Sequence, residues 1–155
     1  MPTTTNIYTL NQLIENVRQI ATNHRQIHDF YYGDEWEYLT SGVTQTPSLR
    51  IVCPSVVRSS RTTQFNVDFS IYSNVLRTEL DETEVESDLV LIAEDVIAQM
   101  RKDEYGWIVS DEGVNIDIRT EHTQKMFTVV TFTLQVLISK PDDRCTIPFD
   151  SDPIT

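Results

Sequence analysis

The residues that come nearest to chemistry are His24 and His28, four positions apart at the end of an apolar-periodic stretch. On a helix that spacing puts two imidazoles on one face, which is half of a zinc site and no more. Two histidines where an apolar stripe runs out, each favourable to the helix dipole when charged, account for them without a metal. The acidic run Asp81, Glu82, Glu84, Glu86 and Asp88 lacks the alternating ligands and central glycine of a calcium loop. Acids at a helix start, stabilised by the unpaired amides there, explain it. Asp111, Glu112 and Asp117 suit the polar outside of a hairpin, and Glu94 and Asp95 have no apolar pocket to raise a carboxyl pKa. Four glycines, at 33, 42, 106 and 113 with none paired, build neither a Walker loop nor a nucleophile elbow. No catalytic residue, metal or cofactor is expected, and the chain does not read as an enzyme.

The elements that would position any site are legible from periodicity. Leu10, Leu13, Ile14, Val17, Ile20, Ala21 and Ile27 form one helical stripe, predicting a helix over 10–27. Thr9 with Gln12 makes a capping box, and Tyr8 with Leu13 a hydrophobic staple. Residues 29–39 read as two extended pieces around a Gly33-Asp34 turn, and 49–57 as a strand with Pro54 at an edge or bulge. After a polar turn at 59–63, Phe65, Val67, Phe69 and Ile71 alternate with polar residues over 64–72, so one face is buried and one wet.

A second helix carries Val85, Leu89, Ile92, Val96, Ile97 and Met100, with start signals at Asp81/Glu84 and Thr83/Glu86 and a Leu80/Val85 staple. Residues 107–110 and 114–120 predict a hairpin around Asp111-Glu112-Gly113, with Val114, Ile116 and Ile118 inward. Residues 126–139 form a long strand, apolar enough on both faces to be central. The expected fold is α+β: a largely antiparallel sheet with two helices packed on one face, in a single domain over 1–140, followed by an extended acidic C-terminal arm over 141–155.

A chain of 155 residues with 39% hydrophobic and 23% charged residues supports one ordinary globular domain and excludes wholesale disorder. No apolar run nears the roughly 20 residues of a membrane helix, and the start lacks a signal-peptide pattern, so no membrane association is expected and the protein is expected to stay where it is made. Cys53 and Cys145 make no cysteine framework; Cys53 fits a small core hydrophobe in a reducing compartment.

Charge is unevenly placed. Residues 1–78 carry six basic and six acidic side chains, while 79–155 carry six basic and eighteen acidic, the source of the net −12. Such a surface repels nucleic acid, which argues against a DNA-binding module but suits a wall past which DNA must slide. Phe30, Tyr31, Tyr32, Trp36 and Tyr38 crowd into nine positions, as core lining or as a subunit contact. The arm holds one apolar patch, Ile147-Pro148-Phe149, and is either free or docked on a neighbour.

Residues 10–14 (Leu-Asn-Gln-Leu-Ile), 20–27 (Ile-Ala-Thr-Asn-His-Arg-Gln-Ile) and 30–37 (Phe-Tyr-Tyr-Gly-Asp-Glu-Trp-Glu) resemble small neck and tail proteins of tailed bacteriophages, in particular those of crAss-like phages. Residues 84–88 and 92–97 are similar as well, and the element order resembles the tail terminator and tail completion family; the likeness spans about residues 8–140. The resemblance implies a virion protein, assembled in the host bacterial cytoplasm, that forms a ring at the head-to-tail junction or along the tail. Its expected partners are copies of itself in a sixfold or twelvefold ring and the adjacent neck, portal or tail ring proteins. Genomic DNA would pass through without specific binding. Subunit-contact candidates on this reading are Phe30, Tyr31, Tyr32, Trp36, Tyr38, Ile147 and Phe149; channel-facing candidates are Asp81, Glu82, Glu84, Glu86, Asp111 and Glu112. The competing expectation is an acidic monomeric binding module or DNA mimic.

Overall fold

The computed structural model describes residues 9–40, 45–74, 79–122 and 126–140, with backbone alone for 79–82, 121, 122 and 126. Among them are three α-helices, α1 (Leu10–Asn23), α2 (Glu35–Thr40) and α3 (Glu79–Met100), and a 3₁₀ turn at Asp103–Tyr105. The strands are β1 (Asp29–Tyr32), β2 (Ser48–Arg58), β3 (Thr62–Asn74), β4 (Ile108–Val109), β5 (Asp117–His122) and β6 (Met126–Ser139). They form one open, mostly antiparallel sheet in which β1, β2, β3 and β6 lie side by side, with β1 parallel to β2. The fold class is therefore α+β, as expected.

β3 and β6 pair from Thr62↔Ser139 to Asn74↔Phe127 and form the sheet's spine. Phe65, Val67, Phe69 and Ile71 of β3 and Val130, Phe132, Leu134, Val136 and Ile138 of β6 all point to one face because side chains alternate along a strand. Leu13, Val17, Ile20 and Ala21 of α1 and Leu89, Ile92, Ala93, Val96, Ile97 and Met100 of α3 close that face into the main core. α1 begins with the expected capping box between Thr9 and Gln12. α3 ends where the buried Trp107 indole donates to the Met100 carbonyl at 2.7 Å.

Several boundaries differ from the sequence expectation. The first helix stops at Asn23, where His24 turns extended and its N–H reaches the Ile20 and Ala21 carbonyls. Ile27 keeps the apolar period only because the connection to β1 dips back into the core. The second half of the aromatic segment is helix α2, not a strand. α3 starts at Glu79, so Asp81 and Thr83 lie inside its first turns and do not cap it. The staple residues Tyr8 and Leu80 lie outside the described side chains.

The hairpin expected around Asp111-Glu112-Gly113 does not form. β4 pairs with Leu137 and Val136 of β6, β5 pairs with β6 from Thr131 to Met126, and β4 and β5 share the edge that β3 leaves open. Between them the chain is held by the Arg101 guanidinium, which donates to the carbonyls of Ser110 at 3.0 Å and Glu112 at 2.6 Å. Val114 and Ile116 pack against the core, whereas Ile118, paired with Val130 of β6, is 48% exposed. Pro54 lies at a bulge between Val52 and Ser55, past the end of β1, as its missing donor requires.

Gly33 links β1 to α2 at φ 148°, and a Cβ there would lie 2.9 Å from Tyr31 Cε1 and 3.0 Å from Glu37 Oε2. Gly33→Ala is expected to lower stability by about 1–3 kcal/mol, read as a shifted urea midpoint at unchanged slope.

Candidate functional site

The second face of the sheet is where the expected polar, wet surface and the observed structure part company. Tyr31, Arg50, Ser70 and Tyr72 point to this face, and α2 lies across one end of it. Tyr38 of α2 packs into a separate small cluster with Tyr72, Phe127 and Val129. Its ring stacks on Tyr72 at 4.5 Å and meets the edge of Tyr31 at 5.8 Å, and its hydroxyl bonds to that of Ser48. Ser70 and Tyr72, read from the alternation as solvated, are buried beneath this cover.

At the centre lies Arg50, a buried guanidinium. Nε donates to the Tyr72 hydroxyl at 3.2 Å, one terminal nitrogen to the Gly33 carbonyl at 2.9 Å and the other to Ser70 Oγ at 3.0 Å. Tyr72 in turn donates to Glu35 Oε1 at 3.2 Å, and Arg119 of β5 pairs with the same carboxylate. The buried cation therefore reaches its counter-charge through a phenol; the bonds to the Gly33 carbonyl and to Glu35 tie α2 and its leading turn to the sheet, and those to Ser70 and Tyr72 tie β2 to β3.

Burial pushes the Tyr38 and Tyr72 phenols above their ordinary value of 10.0. For Tyr72 the Arg50 charge opposes that rise. Phenols raised in the folded state contribute stability that is complete below pH 10 and is lost as pH climbs from there through the folded values. Melting temperature should fall with increasing steepness above pH 10, and Tyr38→Phe should flatten that fall.

The aromatic segment divides between its two readings. Phe30 and Tyr32 are half-buried against the main core, with the Arg18 guanidinium 5.4 Å from the Phe30 ring centre. Tyr31 and Tyr38 belong to the cluster under α2. Trp36 alone points outward, 75% exposed, with Leu39 one turn on and exposed Asp34 and Glu37 beside it. Ile147 and Phe149 lie outside the described residues.

The acids gather on the helical layer. Glu84, Asp88, Glu94 and Asp95 are exposed along α3, and Asp111 and Glu112 share a shallow hollow with Glu94 and Arg101. Glu86 is half-buried and accepts a bond from the Thr120 hydroxyl at 3.3 Å, so it also serves the fold. The side chains of Asp81 and Glu82 are outside those described.

Between α1 and α3 runs a cleft of about 900 Å³ lined by Gln12, Asn16, Gln19 and Asn23 on one wall and Gln99 and Lys102 on the other. His24 Nε2 lies 3.0 Å from Asp95 Oδ2, while its Nδ1 accepts the Gln26 N–H at 3.2 Å. The pair ties the C-cap of α1 to α3. His28 is beyond the helix and shares no face with His24. Among the described residues, no three His, Cys, Asp or Glu side chains are grouped to hold a metal, and no helix is long and apolar enough to cross a membrane. Cys53 is half-buried, and burial raises its thiol pKa, which keeps it protonated and unreactive.

Sequence reasoning missed the Arg50 network; its one available signal was an arginine inside an otherwise apolar strand start, Leu49-Arg50-Ile51. Comparison with family models and with curated proteins finds no match to this chain.

Proposed function

We propose that this protein is a structural ring protein of a tailed-bacteriophage virion, placed at the neck or along the tail and assembled in the bacterial cytoplasm. It acts without catalysis or cofactor. Copies join side to side in a sixfold or twelvefold ring that stacks on a neck, portal or tail ring and lets the genome pass.

The observation that carries this reading is the separation of two surfaces onto opposite layers. Exposed carboxylates run along α3 on one side; a tryptophan is held out on the other by a helix that Arg50, Tyr38 and Glu35 fasten to the sheet. An acidic wall keeps a polyanion from adhering at distances within the roughly 8 Å Debye length of physiological salt. A rigid exposed tryptophan is the side chain most often found at the energetic centre of a protein contact. An acidic monomeric module or DNA mimic would use the first surface and has no use for the second.

Sedimentation velocity of the purified chain over a hundredfold concentration range tests the proposal. Closed symmetric species larger than a dimer are expected, growing with concentration. A monomer or dimer throughout contradicts the ring and favours the binding module.

A further inference from the structure

Helices that lie side by side on a sheet ordinarily fill the seam between them with interlocking side chains, at axis distances of about 8–10 Å. The seam between α1 and α3 is polar and open. Gln12, Asn16, Gln19 and Asn23 of α1 line it, α3 answers with Gln99 and the small Ala98, and a cleft of about 900 Å³ remains above Ile20. The His24–Asp95 pair bridges the helices toward the end of α1, and the 3₁₀ turn past the end of α3 brings Glu104 and Tyr105 to the cleft.

A carboxamide donates and accepts at once, as a peptide backbone does. The bonds within the cleft use amino groups: Asn16 Nδ2 donates to the Gln12 carbonyl at 2.8 Å, and Gln99 Nε2 to Glu104 Oε1 at 2.8 Å and to the Tyr105 hydroxyl at 2.5 Å. Among the described residues no bond engages the side-chain oxygens of Asn16 and Gln99, or any side-chain atom of Gln19, Asn23 and Lys102. The four carboxamides of α1, three or four residues apart, follow each other at rises of about 4.5–6 Å. Residues facing the same way along an extended strand are about 6.6 Å apart. Each such residue turns its N–H and C=O to one side, so one carboxamide can pair with both.

Charge narrows the occupant. Glu15, Asp95 and Glu104 line the cleft against Lys102, with His24 engaged by Asp95. These carboxylates meet Arg18 at 3.7 Å, His24 at 3.0 Å and Gln99 at 2.8 Å respectively, and a carboxylate has about four acceptor sites, so capacity remains. Nucleic acid is repelled here. So is the chain's own 141–155, which sets Asp142, Asp143, Asp150 and Asp152 against Arg144.

We infer that this cleft binds an extended, basic segment of a different protein. The backbone of that segment pairs with the carboxamides of α1 and with Gln99, and its Lys or Arg side chains lie against Glu104 and Asp95. One copy of the chain carries the whole groove, so binding needs no ring, and its failure would leave the ring reading as it stands.

Panning random dodecapeptides against the intact protein is expected to enrich sequences rich in Lys or Arg. Synthetic copies should bind saturably by fluorescence anisotropy, more weakly as salt rises. Gln19→Ala with Asn23→Ala should weaken them at least tenfold, and Ala98→Trp, which plugs the cleft, should abolish binding. All three side chains are exposed, so melting temperature should not change. In heteronuclear NMR spectra the side-chain amide signals of Gln19 and Asn23 should move on binding, while the Trp36 indole signal stays in place. Failure to enrich any peptide overturns the groove. So do enriched peptides that bind the Ala98→Trp chain undiminished, and a neutral oligosaccharide such as maltohexaose moving the Gln19 and Asn23 signals where peptides do not.

Discussion

Phe69→Asp is expected to leave no cooperative thermal transition by circular dichroism. Phe69 is fully buried on the middle strand of the sheet, and its ring stacks on Phe132 at 4.9 Å with the planes 5° apart. The substitution removes an aromatic worth about 3–5 kcal/mol when truncated and buries a carboxylate with no partner, at a further several kcal/mol. The sum matches the whole stability of an ordinary domain, about 5–15 kcal/mol. Ile92→Asp, on the α3 side of the same core, should do the same. Phe69→Leu keeps an apolar group of nearly the right size and should melt cooperatively, a few degrees lower. Cooperative melting of both Asp variants would mean that β3 and α3 do not enclose this core.

Arg50→Leu is the second large effect, and it separates stability from assembly. The leucine strands the Gly33 carbonyl and Ser70 hydroxyl under α2 and takes the cation away from Tyr72. Unsatisfied groups of this kind cost about 1–3 kcal/mol each, so a loss of about 2–5 kcal/mol is expected, or about 5–15 °C in melting temperature for a chain of this size. The domain should still fold, because the main core does not include Arg50. What changes is α2: proteolysis within 33–40 should accelerate, and assembly should weaken because the Trp36 platform is no longer fixed. Arg50→Lys is expected to rescue little, since one ammonium cannot reach three acceptors that lie on a planar fork. Wild-type proteolysis and assembly in Arg50→Leu would remove the network from any part in presenting Trp36.

Much of this architecture is written in local pattern. The strict alternation of Phe65, Val67, Phe69 and Ile71 marks β3, the long run with apolar residues on both faces marks β6 as central, and Thr9 with Gln12 marks the start of α1. Each of these is decided by neighbours within a few residues. The region 107–122 was misread because its short strands are chosen by the long free edge of β6, a partner distant in sequence, rather than by a turn between them. Ser70 and Tyr72 looked solvated because the cover that buries them is a helix on the other side of the sheet.

The candidate site failed in the sequence for a related reason. Trp36 and Tyr38 share a face if residues 35–40 are extended, and lie about 200° apart if they are helical. Only the helix sends one ring inward onto Tyr72 and the other out to solvent. Propensity favoured a strand for an aromatic run; packing of Tyr38 against Tyr31, Tyr72 and Phe127 decided the matter.

The central claim is that copies of this chain close into a ring with α3 toward the opening and the α2 face between subunits. Cryo-electron microscopy of the assembled species tests it most directly. Closed rings in which Glu84, Asp88, Glu94 and Asp95 line the aperture and Trp36 is buried at each subunit boundary are the expected image. A particle in which α3 faces outward, or in which Trp36 remains solvated at every boundary, would contradict it.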